Sequence, residues 1–292
     1  MTYVLFKSLG AFTMGIGILL CFLLYEYPKN HPSITEAELK YITEGQESNM
    51  SENRPAIPWK EILTSVPCLA YYYGLFGHMW SIAYFLSVHP TFMGRILHFS
   101  MTENGATSCV PFVMKSMGGL IASFISKWLT KKNYVGVNKL RKGFTFVGAL
   151  GFSFCMLGIF LAECNIVINI LCFTLSLFSS GVALAGIMIA GVDMTPMFAG
   201  TLMGVASTIG GLSTVIIPLL TGYLTTHETL AEWHVIFWIS VGIVGSSGIL
   251  FAIFGSAEVQ PWNFPDGHNS TEPNEAEKQN DKEYGTIEKS KT

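Results

Sequence analysis

Polar and apolar positions along this chain fall into long blocks rather than alternating. No Lys or Arg occurs between Lys142 and Lys278, and that interval holds four apolar runs: Gly143–Leu161, Ile166–Ala190, Phe198–Leu224 and Val235–Phe254. The formal charges from Gly143 to Phe254 are Glu163, Asp193, Glu228 and Glu232, and all of them fall between the runs. A bilayer core about 30 Å thick takes roughly 20 apolar helical residues to cross. Lipid offers no partner to a bare backbone, so only helices and closed barrels cross it, and no strand-like alternation is present. The whole chain read this way gives seven spans: Tyr3–Leu24, Val66–Val88, Asn104–Ser126, Gly143–Leu161, Ile166–Ala190, Phe198–Leu224 and Trp233–Phe254. The expected fold class is an all-α membrane protein.

The polar stretches between spans set an orientation. The connection Lys127–Lys142 carries Lys127, Lys131, Lys132, Lys139, Arg141 and Lys142, and the segment after the first span carries Lys29, Lys40, Arg54 and Lys60. Basic loops stay on the cytoplasmic side, and two spans separate these two, so both assignments agree. The Pro90–Glu103 connection, with Arg95 alone, then faces outside. Thr35-Glu36-Ala37-Glu38 has the form of a capping box and predicts a short helix over Glu36–Thr43; a solvated acidic loop is the alternative. The division expected is a first transmembrane helix over 1–25, a cytoplasmic central loop over 26–60, a six-helix bundle over 61–255 and a disordered cytoplasmic tail over 256–292. The first run has neither a basic leader nor a small-residue cleavage site and reads as a span rather than a signal peptide. Sequons at Asn49 and Asn269 fall on the cytoplasmic side and are discounted as glycosylation sites. Tyr284-Gly-Thr-Ile287 has the shape of a sorting signal, a pattern that also arises by chance.

Composition narrows the function classes. Of 292 residues 50% are apolar and 13% charged, about half the charged share of a soluble domain, and the net charge of −3 gives no reason to expect a nucleic-acid partner. Five of six cysteines, Cys21, Cys68, Cys109, Cys155 and Cys172, sit in apolar runs as small hydrophobes, and Cys164 sits in a connection, so no disulfide framework is implied. No nucleotide loop, metal cluster or catalytic triad pattern is visible, so neither a cofactor nor an enzyme activity is expected. A seven-span receptor lacks support, with no Asp-Arg-Tyr after the third span and no Asn-Pro-x-x-Tyr in the last.

The remaining chemistry is a few polar groups inside spans. Lys115 sits near the middle of the third span, where an uncompensated lysine costs about 2.5–3.5 kcal/mol. It either faces a central cavity as an anion-binding cation or snorkels to the interface along its stem. His78, midway along the second span, is either a hydrogen-bonded packing group or an anion or proton site. Both are expected to face one shared central cavity. The sixth span contains Gly200, Gly204, Gly210, Gly211 and Gly222; Gly200 and Gly204, four apart, suit close helix contact, and Pro218 should bend the span.

Several stretches together resemble one family. They are His31-Pro-Ser-Ile-Thr35 with Tyr41-Ile42; Pro58-Trp-Lys60 with Ile62, Thr64-Ser65 and Pro67; Pro90-Thr-Phe-Met93; Asp193-Met-Thr-Pro196 with Ala199-Gly200 and Leu202-Met-Gly204; and Phe254-Gly-Ser-Ala-Glu-Val-Gln-Pro-Trp262. The chain up to Trp262 is similar to the anion/cation symporter branch of the major facilitator superfamily, which includes sialin, sodium-phosphate cotransporters and vesicular glutamate transporters. The resemblance implies a major-facilitator-type bundle whose seven helices correspond to spans six to twelve of twelve. The coupling and binding residues of the family lie mainly in the other half, so none is carried over. His78 falls where vesicular glutamate relatives have a substrate-associated arginine. Ala83, Lys127, Ser207 and His234 replace a tyrosine, an acidic residue, an asparagine and an arginine usual in relatives, which puts the gating contacts and the usual substrate in doubt.

The resemblance implies a symporter portion that carries an inorganic or organic anion, phosphate or carboxylate, coupled to sodium or protons. Its partners would be the lipid bilayer, the small anionic solute and the coupling ion, in the plasma membrane or a lysosomal or vesicular membrane. The competing expectation is a truncated, non-transporting membrane protein that associates with other membrane chains.

Overall fold

In a computed structural model of the chain, residues 2–25, 28–36, 38–40, 56–132, 134–162, 165–227 and 229–263 are described. Most of them are helical, with no strand among them. The helices in chain order are α1 Thr2–Leu23, α2 Trp59–Thr64, α3 Val66–Arg95, α4 Met101–Lys131, α5 Val137–Ala162, α6 Ile166–Met194, α7 Ala199–Leu224 and α8 Leu230–Phe254. The chain forms two units, residues 1–56 and 57–292.

In the first unit, α1 has 22 residues, enough for about 33 Å at 1.5 Å per residue. After a 3-10 turn at Pro28–Asn30, Thr35 starts a new helical segment. Its side chain accepts from the Glu38 N–H at 3.3 Å and its carbonyl from the Leu39 N–H at 2.8 Å. The capping position read from the sequence is therefore the observed helix start. Residues 41–55, with the Tyr41-Ile42 pair and the Asn49 sequon, lie outside the described residues, as do Cys164 and residues 264–292 with Asn269 and Tyr284.

The second unit holds the other long helices. Five of them, α4 to α8, are long and apolar enough to cross a membrane. The expectation was seven. The 30-residue α3 has the length and is less apolar than the others, because it carries Tyr71, Tyr72, Tyr73, His78, Trp80, Tyr84 and His89, most of whose rings are buried.

Several helices outrun their predicted ends. Pro90 was read as the start of a connection, yet α3 continues through it to Arg95. A proline in a helix interior costs one hydrogen bond, here the one the Leu86 carbonyl would accept, and a local clash. The Asn104 amide donates to the Pro90 carbonyl at 2.7 Å, and Thr91 Oγ1 donates to the Ser87 carbonyl at 2.7 Å. Helix α5 starts at Val137, six residues before the apolar run. Bilayer thickness bounds the apolar stretch and not the helix, and Lys and Arg are good helix formers. Starts are capped as polar residues allow: Ser100 and Glu103 form a reciprocal capping box on α4, and Asn165 accepts from the Ile168 N–H on α6 at 3.3 Å.

Packing follows a repeated scheme. Helix α3 packs mainly on α7 and α8, α6 packs mainly on α4 and α5, and α5 packs on α8. Exchanging α3, α4 and α5 for α6, α7 and α8 leaves these pairs unchanged. Two three-helix units of opposite topology therefore interlock, the arrangement expected of an inverted repeat. Close crossings rest on glycine. A Cβ on Gly181 of α6 would collide with the Lys115 carbonyl of α4. The apolar core lies in two clusters along α3. One centres on Tyr84, Phe92, Phe152, Phe173, Trp233 and Phe237, the other on Tyr71, Leu75, Ile187, Met194, Leu202 and Phe251.

Candidate functional site

Between those two clusters, α3 turns polar. A pocket of about 10 Å³, room for one water, is enclosed by α3, α5, α6 and α8, and His78, Ser81, Thr145, Ser180 and Ser247 contribute its polar wall. His78 is 5% exposed, and neither ring nitrogen has a protein partner among the described residues. Its neighbours are better satisfied. Ser81 Oγ and Ser180 Oγ are 2.7 Å apart, and Ser81 Oγ also lies 2.7 Å from the His78 carbonyl as a donor. The ring of Trp80, next to this seam, donates to Ser240 Oγ at 3.1 Å, and Tyr73 and Ser246 share a hydrogen bond of 2.7 Å. These hydroxyls let α3 and α8 approach closely while satisfying polar groups that lipid could not. Gly77 permits the closest approach, since a Cβ there would overlap the Ser247 side chain.

Lys115 lies on α4, is half-buried and is not part of that pocket wall. The structure thus places His78 in the interior of the six-helix bundle and Lys115 at its flank, and the two do not line a common pocket. The α7 residues fall differently from a packing role. A Cβ on Gly200, Gly204, Gly211 or Gly222 would meet nothing within 4 Å, while one on Gly210 would press on Met79 at 2.9 Å. Gly200 and Gly204 therefore make no close helix contact among the described residues, and the inward-facing glycine of α7 is Gly210. Pro218 is exposed, and α7 continues through it.

Two further constellations sit at the end of the bundle that carries the basic connection. Arg141 of α5 donates from Nε to Asp193 Oδ2 of α6 at 2.9 Å. It also donates from Nη1 to Ser126 Oγ of α4 at 3.3 Å and to the Ala185 carbonyl of α6 at 3.3 Å. One guanidinium thus ties three helices together, at 14% side-chain exposure. Beside it, Asn138 holds the segment that follows α8. Its amide donates to Glu258 Oε1 at 2.8 Å and its carbonyl oxygen accepts from the Ala257 N–H at 3.1 Å. The Gln260 N–H donates to the Met194 carbonyl at 3.0 Å, and Asn263 Oδ1 accepts from the Met197 N–H at 3.3 Å. The Phe254–Trp262 motif is therefore a strap across the ends of α5 and α6. Sequence reasoning named Asp193 and the motif but missed Arg141 and Asn138 as their partners. The signal available for Arg141 was a basic residue one turn into a helix, with an acid at the end of the next.

Among the described residues no group of His, Cys, Asp or Glu is placed to hold a metal ion.

The family model described as Major Facilitator Superfamily matches residues 2–217. Curated relatives include an uncharacterised transporter of Caenorhabditis elegans, 28% identical over 94% of this chain and 57% of its own length. Sodium-dependent phosphate transport protein 3 of Mus musculus is 27% identical over 85% of this chain and 53% of its own. Sialin of Homo sapiens is 27% identical over 91% of this chain and 54% of its own. The chain spans about half the length of the curated relatives it matches.

Proposed function

The chain belongs to the major facilitator superfamily, and on that premise we propose that its six-helix bundle is one half of an anion transporter of the anion/cation symporter group. The observation that carries this reading is the similarity to phosphate transport proteins and sialin over most of the chain. The inverted three-plus-three packing of α3–α8 supports it, since such bundles work in pairs that rock around a site near the bilayer midplane. The other bundle would meet the open faces of α4 and α7, where Gly200 and Gly204 offer a smooth surface with no described neighbour. The protein is a multi-pass membrane protein, in this reading of the plasma membrane or a lysosomal or vesicular membrane, with the Lys127–Lys142 connection in the cytoplasm.

The proposed solute is inorganic phosphate or an organic carboxylate, driven by a sodium or proton gradient. Lys115 is the residue proposed to attract it: a cation on the flank of α4, midway through the span and without an ion-pair partner among the described residues. His78 is proposed to act as a polar group of the bundle interior, where its ring lines the small pocket between α3, α5, α6 and α8. The protein is not proposed to perform covalent chemistry. The test is uptake of labelled phosphate, glucuronate and sialate into proteoliposomes under sodium and proton gradients, using this chain extended at its amino end by five spans of a relative from the same group. Saturable uptake that requires one of the gradients supports the reading. An extended protein that folds, inserts and binds none of these anions would overturn it.

A further inference from the structure

The end of the bundle that carries the basic connection holds a second, larger concavity. A groove of about 490 Å³ opens between α4, α5 and α6, lined by Ser123, Ser126, Lys127, Thr130, Lys131, Arg141 and Ile189. Three of its wall residues are cations. Among the described residues, Asp193 is the one carboxylate engaged with them, and it is taken up by Arg141 Nε at 2.9 Å. A guanidinium carries five N–H donors, and among the described residues Nη2 of Arg141 has no acceptor, while Nε and Nη1 do. Neither Lys127 nor Lys131 has a hydrogen-bond or ion-pair partner among the described residues. The groove therefore presents a fixed, mostly buried guanidinium edge at its base and two unpaired ammonium groups at its rim.

Its surroundings mark the depth at which it sits. Trp128 and Tyr134, half-exposed or more, meet edge to face at 6.2 Å, and Lys132 Nζ lies 4.8 Å from the Trp128 ring centre. Amphipathic aromatic rings beside basic residues are the signature of a helix end at the headgroup level. A basic pocket between transmembrane helices at that level suits an anionic headgroup. Arg and Lys together recognise a phosphoryl group by charge-assisted hydrogen bonds, which Ser123 at the wall can supplement.

We propose that this groove binds a phosphoryl anion at the membrane surface, as a lipid headgroup or as free phosphate. A diffuse basic loop would attract anions by net charge alone. The groove differs because its arginine is anchored by Asp193, Ser126 and the Ala185 carbonyl, so its free edge is held in one place. An occupant there would bridge α4 to α5, two helices that otherwise meet mainly through α6.

The test uses the full 292-residue chain in neutral detergent. Native mass spectrometry counts retained phosphatidylglycerol against phosphatidylcholine, and equilibrium dialysis with labelled inorganic phosphate at constant ionic strength measures the free anion. Three variants separate the groove from the loop. K127Q/K131Q removes its rim charges, S123L fills it with charge unchanged, and K132Q/K139Q removes equal charge outside it. The expectation is that K127Q/K131Q weakens one of the two ligands about tenfold or more, that S123L weakens the same ligand, and that K132Q/K139Q changes it less than threefold. Loss in the lipid arm alone assigns a headgroup; loss in the phosphate arm alone assigns a free anion. Equal loss from both double variants, or full binding by S123L, would reduce the effect to diffuse attraction and overturn the proposal, as would binding in neither arm.

Discussion

At the scale of single residues, the arrangement around Arg141 makes a quantitative demand. Its guanidinium is largely buried and has one carboxylate partner, Asp193, at 2.9 Å. Removing one member of such a pair leaves a charge without compensation and costs about 3–5 kcal/mol when burial is deep, less where water reaches in. Asp193→Ala should therefore lower the melting temperature of the detergent-purified chain substantially. Arg141→Gln with Asp193→Asn, which restores neutrality, should recover part of the loss. Additive losses in the double variant would show that the pair is not coupled. His78 makes the opposite demand. Neither ring nitrogen has a protein partner among the described residues, and an unpaired buried polar group costs about 1–3 kcal/mol. His78→Leu should leave melting unchanged or raise it, while His78→Ala, which opens a cavity, should lower it. A fall with His78→Leu as large as with His78→Ala would mean that the imidazole makes a hydrogen bond that stabilises the fold. For Lys115 the prediction concerns uptake by the two-bundle protein. Lys115→Ala should weaken anion uptake and Lys115→Arg should keep more of it; full uptake by Lys115→Ala would remove the lysine from the site.

At the scale of elements, the helices were legible where apolar runs are long, because the bilayer makes continuous apolarity and helix the same requirement. Their ends were not. Pro90 reads as a break, and nothing local announces that α3 runs on through it to Arg95. Lateral contacts were legible only as residue types. Gly200 and Gly204 have the spacing of a packing stripe, yet their face has no neighbour among the described residues, whereas Gly181 carries the α4–α6 crossing. Spacing gives a stripe but not the direction it faces, and α3, with polar and aromatic residues all round, gives no direction at all. For the same reason His78 was legible as a polar group in a span but not as a wall of the bundle interior. Arg141–Asp193 and Asn138–Ala257 join residues far apart in sequence, which no local pattern encodes. The crossing yields its own prediction: Gly181→Leu should prise α4 from α6, at about 1–3 kcal/mol for overpacking, and lower both yield and melting temperature, while Gly204→Leu should leave the isolated chain unaffected. Equal damage from the two would contradict the assignment of these faces.

At the scale of the molecule, the interlocked three-helix units make α3–α8 a closed bundle with its own core, and the strap of residues 255–263 fastens one end of it. A closed bundle explains stability; it does not by itself explain transport. Alternating access needs a solute site that two bundles cover by turns, and residues 57–263 supply one. The reading of this chain as half of an anion transporter is met most directly by proteoliposome uptake of labelled phosphate and organic carboxylates, measured for the 292-residue chain alone and for the form extended by five amino-terminal spans, under sodium and proton gradients. The account predicts no gradient-driven accumulation by the chain alone and saturable, gradient-dependent accumulation by the extended form. Robust accumulation by the purified chain alone would contradict it.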